Sequence, residues 1–263
     1  MSTTHAPVTV HTDRPGVPLS RIVRVELRKM FNTRSGFWLM MSIAITALLA
    51  TASVILFAPD SVITYNSFGS AIGVPFGVIL PVVAILSVTS EWSQRTGLIT
   101  FTLVPHRGQV VAAKGIAAVI VAVASMLFSF GVGALGNVVG AAVNGVDTVW
   151  NVTVTDMLLI TLGNVLGLLI GFMLGVVIRN SAGAIVGYFA YAFVVPTIFG
   201  ILAFFQDWFD RIQPWIDFGD AQVPLFETSI SGEEWAQLGV SGLIWLVVPL
   251  TLGVMAVLRS EVK

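Results

Sequence analysis

Six long apolar stretches, separated by polar segments, dominate the pattern of this chain. Each is long enough to cross a bilayer as an α-helix, which requires roughly 20 residues. No Asp, Glu, Lys, Arg or His occurs in any of them. The pattern predicts an all-α polytopic membrane protein with transmembrane helices over residues 37–57, 68–90, 115–143, 157–178, 182–205 and 237–258. The third stretch is longer than an untilted helix needs to cross a bilayer, so it is expected to tilt or to project from the membrane.

The distribution of charge predicts the orientation of these helices. All but Arg211 of the 13 Lys and Arg residues lie in the N-terminal segment, in the gaps between stretches two and three and between four and five, or in the C-terminal tail. The alternate gaps are acidic. Because Lys and Arg accumulate in cytoplasmic loops, both termini are expected to be cytoplasmic. Topology thus accounts for the basic residues, and nothing in the charge points to nucleic acid.

The composition agrees with a membrane protein, since 56% of the residues are hydrophobic and 10% are charged. We divide the chain into a cytoplasmic segment, 1–17, that is expected to be disordered, an amphipathic helix, 18–36, a transmembrane domain, 37–258, and a cytoplasmic tail, 259–263. The chain contains no cysteine, so it offers no disulfide or thiol chemistry.

A helical period ahead of the first stretch predicts an amphipathic helix at the membrane surface. The apolar face contains Leu19, Ile22, Val23, Leu27, Met30 and Phe31. Basic residues occupy the other face, and Glu26 interrupts the apolar one. A basic amphipathic helix of this kind lies in the lipid interface. It serves either only to orient the first crossing or also to contact a cytoplasmic partner.

Two further segments outside the crossings carry apolar residues. Between stretches five and six, Trp208, Phe209, Ile212 and Ile216 share one face of a predicted external amphipathic segment, for which a plain surface loop is the alternative. The cytoplasmic loop 91–114 contains Phe101 and Leu103. Exposed apolar residues on such a loop favour docking to another protein. A helix lying on the membrane is the alternative for this loop.

Within the stretches, glycine is the most regular feature. Gly163, Gly167, Gly171 and Gly175 are spaced four apart, which permits close approach of another helix. They either pack helices within one subunit or form a seam between two subunits. The few polar residues are interpreted as packing contacts or as lining a path; they are Asn137, Asn144, Asn164, Tyr188 and Tyr191.

Catalytic motifs are sparse. The sequence contains no Gly-x-x-x-x-Gly-Lys-Ser/Thr run that would cradle a nucleotide phosphate. Its three histidines lie outside the stretches, so no metal site is expected. The adjacent Glu233 and Glu234 leave open a membrane-embedded enzyme. A membrane protein that binds a ligand without transporting it, such as an immunity protein, is a second alternative.

Four features together resemble the ABC-2 type permeases, the membrane subunits of bacterial ABC exporters. They are the amphipathic "elbow" helix, the loop reading EWSQRTG and on through FTLVP, the Arg179-Asn180 turn, and the amphipathic segment between crossings five and six. The similarity extends over the chain beyond residue 17. The loop resembles the coupling helix of that family.

The resemblance implies a subunit that transports but is not itself an enzyme. It holds no cofactor, and ATP and Mg²⁺ would bind a separate ABC ATPase subunit. A second permease subunit, the same or homologous, would complete the transporter in the bacterial inner membrane. The residues implied to couple to the ATPase are Glu91, Arg95, Gly97, Phe101, Thr102, Leu103 and Arg107. The family's path along crossings two and five implies contact of a hydrophobic or amphiphilic substrate with Phe76, Tyr188, Tyr191, Val195 and Phe199.

The topology is open to a direct test with reporter fusions. We expect reporters fused after Arg179 and after Lys263 to be cytoplasmic and one near Gly219 to be external, because basic residues are retained on the cytoplasmic side. Paired alkaline phosphatase and fluorescent protein fusions measure this. An external C-terminus would contradict six crossings.

Overall fold

The computed structural model describes residues 17–93, 107–227 and 230–259, and the regular elements within these ranges are all helices. In chain order they are α1 Leu19–Asn32, α2 Arg34–Phe57, α3 Tyr65–Ser93, α4 Arg107–Asn144, α5 Val154–Ile178, α6 Ser181–Phe205, α7 Asp207–Ile216 and α8 Gly232–Arg259. Short 3₁₀ helices at Asp60–Val62 and Asp220–Phe226 lie in two of the connections.

The six apolar helices predicted from the sequence are confirmed. α2, α3, α4, α5, α6 and α8 are each long and apolar enough to cross a membrane. α4 begins before the predicted third stretch and therefore includes Lys114. Its 38 residues extend for about 57 Å, well beyond the roughly 30 Å of a bilayer's hydrocarbon core.

A sharp corner separates α1 from α2. Thr33 is the only residue between the two helices, and its hydroxyl caps α2 by accepting a hydrogen bond from the Gly36 N–H at 3.1 Å. A side chain at Gly36 would collide with the carbonyl oxygen of Met30, so glycine is required at this corner. The amphipathic segment 18–36 therefore consists of a separate helix followed by the start of the first apolar helix. How α1 lies relative to a membrane stays a prediction.

α3 lies at the centre of the bundle and packs against α2, α4 and α5. Its Phe68 is fully buried in a notch of α4, where a Cβ at Gly136 or Gly140 would come within 2.9 Å of the Phe68 ring. Farther along α3, Phe76 and Leu80 are also fully buried in the main apolar core. The central position of α3 follows from its large apolar residues on several faces.

The glycine row of α5 packs within this one chain at three of its four positions. A Cβ at Gly171 would lie 2.5 Å from the Pro81 carbonyl oxygen, and one at Gly175 would touch Ile85 and Val88 of α3. The ring of Phe226 packs directly against Gly163. Gly167 has nothing within 4 Å of such a Cβ, so the subunit-seam interpretation remains open for that residue.

The Arg179-Asn180 turn joins α5 directly to α6. Arg179 has a φ of 56°, which ends α5 in the left-handed conformation, and Asn180 then caps α6 by accepting from the Gly183 N–H at 2.8 Å. Asn favours this capping position because its short side chain reaches the free N–H groups of the first turn. The two helices consequently pack side by side.

The close approach of α3 and α5 predicts that Gly171→Ala destabilises the protein. The added methyl would overpack the contact with Pro81, which typically costs about 1–3 kcal/mol. Gly167→Ala is the matched control, because its methyl enters open space and a helical alanine is favoured by about 1 kcal/mol. Thermal unfolding of the detergent-solubilised variants should show a lower Tm for Gly171→Ala alone. Equal Tm values would argue against the contact.

Candidate functional site

The residues predicted to couple to an ATPase flank the α3–α4 connection. Glu91 lies in the last turn of α3, and Arg107 is the first residue of α4. Arg95, Gly97, Phe101, Thr102 and Leu103 lie outside the described residues. The coupling role of all seven therefore stays a prediction.

A buried ion pair lies close to this connection. Lys114 Nζ of α4 is 2.8 Å from Glu26 Oε2 of α1, and the same ammonium donates to the Ser87 carbonyl oxygen of α3 at 3.0 Å. Lys29 Nζ lies 2.7 Å from the other carboxylate oxygen of Glu26. Glu26 is 5% exposed and Lys114 is 4% exposed. We call these four residues the latch, because they join α1, α3 and α4.

The latch explains why an acidic residue interrupts the apolar face of α1. Ile22, Glu26 and Met30 are spaced four apart and form the buried stripe of that helix. Burial alone would raise the pKa of Glu26, but the charges and hydrogen bonds of Lys114 and Lys29 outweigh it and hold the pKa below its ordinary value of 4.5. Glu26 is therefore ionised at neutral pH and satisfied within the protein.

The residues predicted to line a substrate path lie in different parts of the bundle. Phe76 is fully buried in the main core, whereas Tyr188 and Tyr191 pack in a second apolar cluster with Phe218 and Leu246. In the same helix, half-buried Phe199 packs edge-on to Phe209 of α7, with ring centroids 5.4 Å apart. Their contact with a substrate stays a prediction.

Tyr188 has a structural role that its sequence position did not reveal. Pro81 lacks an N–H, so the carbonyl oxygen of Gly77, one turn earlier in α3, loses its helical hydrogen bond. The Tyr188 hydroxyl of α6 donates to that oxygen. About three turns farther along α3, the hydroxyl oxygens of Thr89 and Ser181 are 2.7 Å apart. Both contacts join α6 to α3 over the first half of α6.

Two π-helical turns occur in the middle of α6 and of α8, at Ala190–Val194 and Leu243–Val247. Each is followed two residues later by a proline, Pro196 or Pro249, that cannot donate to the preceding turn. The two turns contact each other through Tyr191 and Trp245, whose ring centroids are 5.5 Å apart. The prolines were visible in the sequence, but their pairing across two helices was not.

The two polar groups at this contact, the Trp245 N–H and the Tyr191 hydroxyl, differ in their hydrogen bonding. The Trp245 indole N–H donates to the Ile216 carbonyl oxygen at 2.7 Å, which joins α8 to the end of α7. The Tyr191 hydroxyl is buried and has no hydrogen-bond partner among the described residues. A buried hydroxyl without a partner is unfavourable, so the Tyr191 hydroxyl adds less to the stability of this contact than the Trp245 N–H does.

A buried carboxylate organises the chain reversal after α7. Asp217 is 2% exposed and accepts hydrogen bonds from the N–H groups of Gly219 at 2.9 Å and Asp220 at 3.3 Å. Burial, and then the negative charges of Asp217 and Asp210, raise the pKa of Asp220. These contacts position the 3₁₀ helix that covers one side of α5.

Glu233 and Glu234, the pair considered for enzymatic chemistry, begin α8. Glu234 forms a reciprocal cap with Ser231: its carboxylate accepts from the Ser231 N–H, and its own N–H donates to the Ser231 hydroxyl at 3.2 Å. This arrangement gives Glu234 a helix-capping role. Within the described ranges, the structure contains no group of three His, Cys, Asp or Glu residues placed to hold a metal ion.

Neither a protein-family model nor a curated protein matches the chain. The class that the fold defines is thus an all-helical protein with six helices long and apolar enough to cross a membrane. The resemblance to ABC-2 type permeases stays a hypothesis that rests on the sequence features described above.

The latch predicts that replacing Lys114 destabilises the protein much more than replacing Lys29. Among the described residues, Lys114→Met leaves Glu26 buried with Lys29 as its one cationic partner, and breaking a buried ion pair typically costs about 3–5 kcal/mol. Lys29→Met is the control, because the Lys29 side chain is 44% exposed and such pairs contribute about 1 kcal/mol or less. Unfolding in detergent should show the much larger loss for Lys114→Met. Similar losses would contradict the latch.

The same pair gives an expectation for pH. The pKa of Glu26 is lower in the folded than in the unfolded chain, so its contribution to stability is complete above its ordinary value and disappears as the pH falls through the folded value. The acid-induced fall in Tm below about pH 4.5 should therefore be smaller in the Glu26→Leu/Lys114→Met double variant.

Proposed function

We propose that this chain is the permease subunit of an ATP-driven ABC exporter that moves a hydrophobic or amphiphilic substrate outward. The observation that carries the proposal is the latch, which attaches the amphipathic helix α1 to Lys114, about two turns into the helix α4 that follows the α3–α4 connection. In a transporter driven by a separate ATPase, a connection of this kind would carry movement of the docking segment to the transmembrane helices.

The latch gives a physical path for such coupling. Lys114 lies seven residues after Arg107, which corresponds to about 10 Å along α4. A displacement of the 94–106 segment by an ATPase would act on the ends of α3 and α4 together. Because Lys114 bonds to both Ser87 and Glu26, α1 would move with them. α1, α3 and α4 would respond as one unit rather than as separate helices.

The outer helices support the second part of the proposal, a paired permease subunit. Only 6% of the most apolar window of α6 is buried within this chain, compared with 44% for α3. Although the first half of α6 packs against α3 and α5, its many exposed residues are available to lipid or to another subunit. A second copy, or a homologous permease, would give a two-fold arrangement with the substrate path between the halves.

The alternatives have less support. The membrane-enzyme hypothesis depends on the Glu233/Glu234 pair, and Glu234 is already used to cap α8. A protein that binds a ligand without transporting it accounts for the bundle but leaves the latch without a function. In our proposal, the chain resides in the bacterial inner membrane with both termini cytoplasmic, and ATP and Mg²⁺ bind the partner.

The test is ATP-driven flux in proteoliposomes that contain the chain and the ATPase encoded beside it. Phe101→Asp should abolish flux and weaken co-purification of the ATPase, because loss of a buried aromatic anchor costs about 2 kcal/mol or more, roughly 30-fold in affinity. Phe101→Leu, which keeps an apolar anchor, is the control and should retain both. Flux that needs no ATPase, or unaltered co-purification of Phe101→Asp, would overturn the coupling proposal.

A further inference from the structure

A cavity of about 340 Å³ lies between α3, α4 and α5, near the ends where α3 and α5 begin. Its size falls in the 300–1,000 Å³ range of small-molecule sites. The lining residues that matter for its chemistry come from all three helices and from the 3₁₀ helix; they are Gly69, Gly73, Ser70, Ser129, Asn164 and Phe226.

The cavity exists because side chains are absent from one wall. Gly69 and Gly73 are one turn apart on α3, and a Cβ built at either would meet nothing within 4 Å. These glycines therefore leave a space instead of bringing helices together. On the opposite wall the ring of Phe226 rests on Gly163, where a Cβ would lie 2.6 Å from the ring. Phe226 thereby closes one side.

The polar groups of the cavity are few and uncharged. Asn164 is 7% exposed and Ser129 is 3% exposed, so both are buried at its inner wall. The Asn164 side-chain amide donates to the Ile160 carbonyl oxygen at 2.9 Å, which leaves its side-chain oxygen to accept another hydrogen bond. None of the described residues that line the cavity is charged.

The opening of the cavity lies along one stripe of α3. Asn66, Ser70 and Val74 are spaced four apart on this helix, they line the cavity, and all three are exposed. Val74 is 77% exposed, which is unusual for α3, the most buried of the apolar helices. A molecule dissolved in the surrounding apolar phase can therefore enter from the side of the bundle.

We propose that this cavity binds an uncharged amphiphile, with its apolar body beside Gly69 and Gly73 and its hydrogen-bonding group at Asn164 and Ser129. A ligand with a net charge is disfavoured because burying an unpaired charge is costly, and no lining residue offers the opposite charge. The site lies within a single chain, it includes none of the five residues implied to contact a transported substrate, and it does not depend on an ATPase. Of the polar residues interpreted as packing contacts or as lining a path, it includes Asn164.

The test measures binding to the purified chain in nanodiscs, with empty nanodiscs as the blank. N-phenyl-1-naphthylamine, a neutral fluorescent amphiphile, should show saturable binding to the wild-type chain. Gly73→Leu, which fills the cavity, should weaken that binding at least about tenfold. Gly200→Leu is the matched control, because Gly200 lies on α6 and a Cβ there also meets nothing within 4 Å. It should bind like the wild type.

Two further measurements separate the site from nonspecific partition. 8-Anilino-1-naphthalenesulfonate has similar aromatic rings but carries a sulfonate, and it should bind at least about tenfold more weakly than the neutral probe. Asn164→Leu keeps a similar volume and removes the amide, so it should weaken binding of the neutral probe by several-fold. This variant also serves as the test if Gly73→Leu does not fold.

The proposal is overturned if the wild-type chain gives no saturable signal, or if the folded Gly73→Leu and Asn164→Leu variants bind like Gly200→Leu. Equal affinity for the two probes would likewise overturn it. Because no ATPase is present in these measurements, a failure here leaves the exporter proposal untouched, and failure of ATP-driven flux leaves this site untouched.

Discussion

The constraint on which the rest of the fold depends is that the backbone must satisfy its own hydrogen bonds wherever apolar material surrounds it. A proline within a helix makes this constraint harder to meet, because it has no N–H and leaves the carbonyl oxygen one turn earlier without its helical partner. The chain meets it at Pro81 with the Tyr188 hydroxyl, which fastens α6 to α3. Before Pro196 and Pro249 the helices instead widen into π turns. The first solution crosslinks two helices, whereas the second changes the course of each helix locally.

The latch is the second organising interaction, and its energetics differ from those of the core. An isolated ion pair removed from water gains little, since the desolvation of both charges offsets their attraction. The consequence of the pair lies in what its loss would do: without Lys114, the present packing of α1 against α4 would bury a poorly compensated carboxylate. The hydrogen bond from Lys114 to the Ser87 carbonyl oxygen adds a directional requirement that apolar packing lacks.

The helices of this fold were largely predictable, and their meeting points were not. Apolar length alone predicts the six long helices, and the helical period predicts α1 and α7. Glu26 was visible as an interruption in an apolar face, but its partner lies 88 positions away in the sequence. Likewise, Gly69, Gly73 and Gly77 of α3 are spaced four apart in the sequence, as are the glycines of α5. Only the three-dimensional packing separates Gly171, which allows close contact, from Gly73, which leaves a cavity.

The placement of these features suggests how the bundle divides mechanically. α3, α4 and α5 form the buried centre, with the latch at one end and the cavity toward the other. Among the described residues, hydrogen bonds join α6 to α3 at Ser181 and Tyr188, in the first half of α6, and beyond its π turn α6 packs against α7. A π turn has a longer hydrogen-bonded loop than an α turn and marks a locally altered helix. The second half of α6 is consequently better able to shift than the second half of α8, which packs against α5, where a Cβ at Gly253 would lie 2.8 Å from the Val177 side chain.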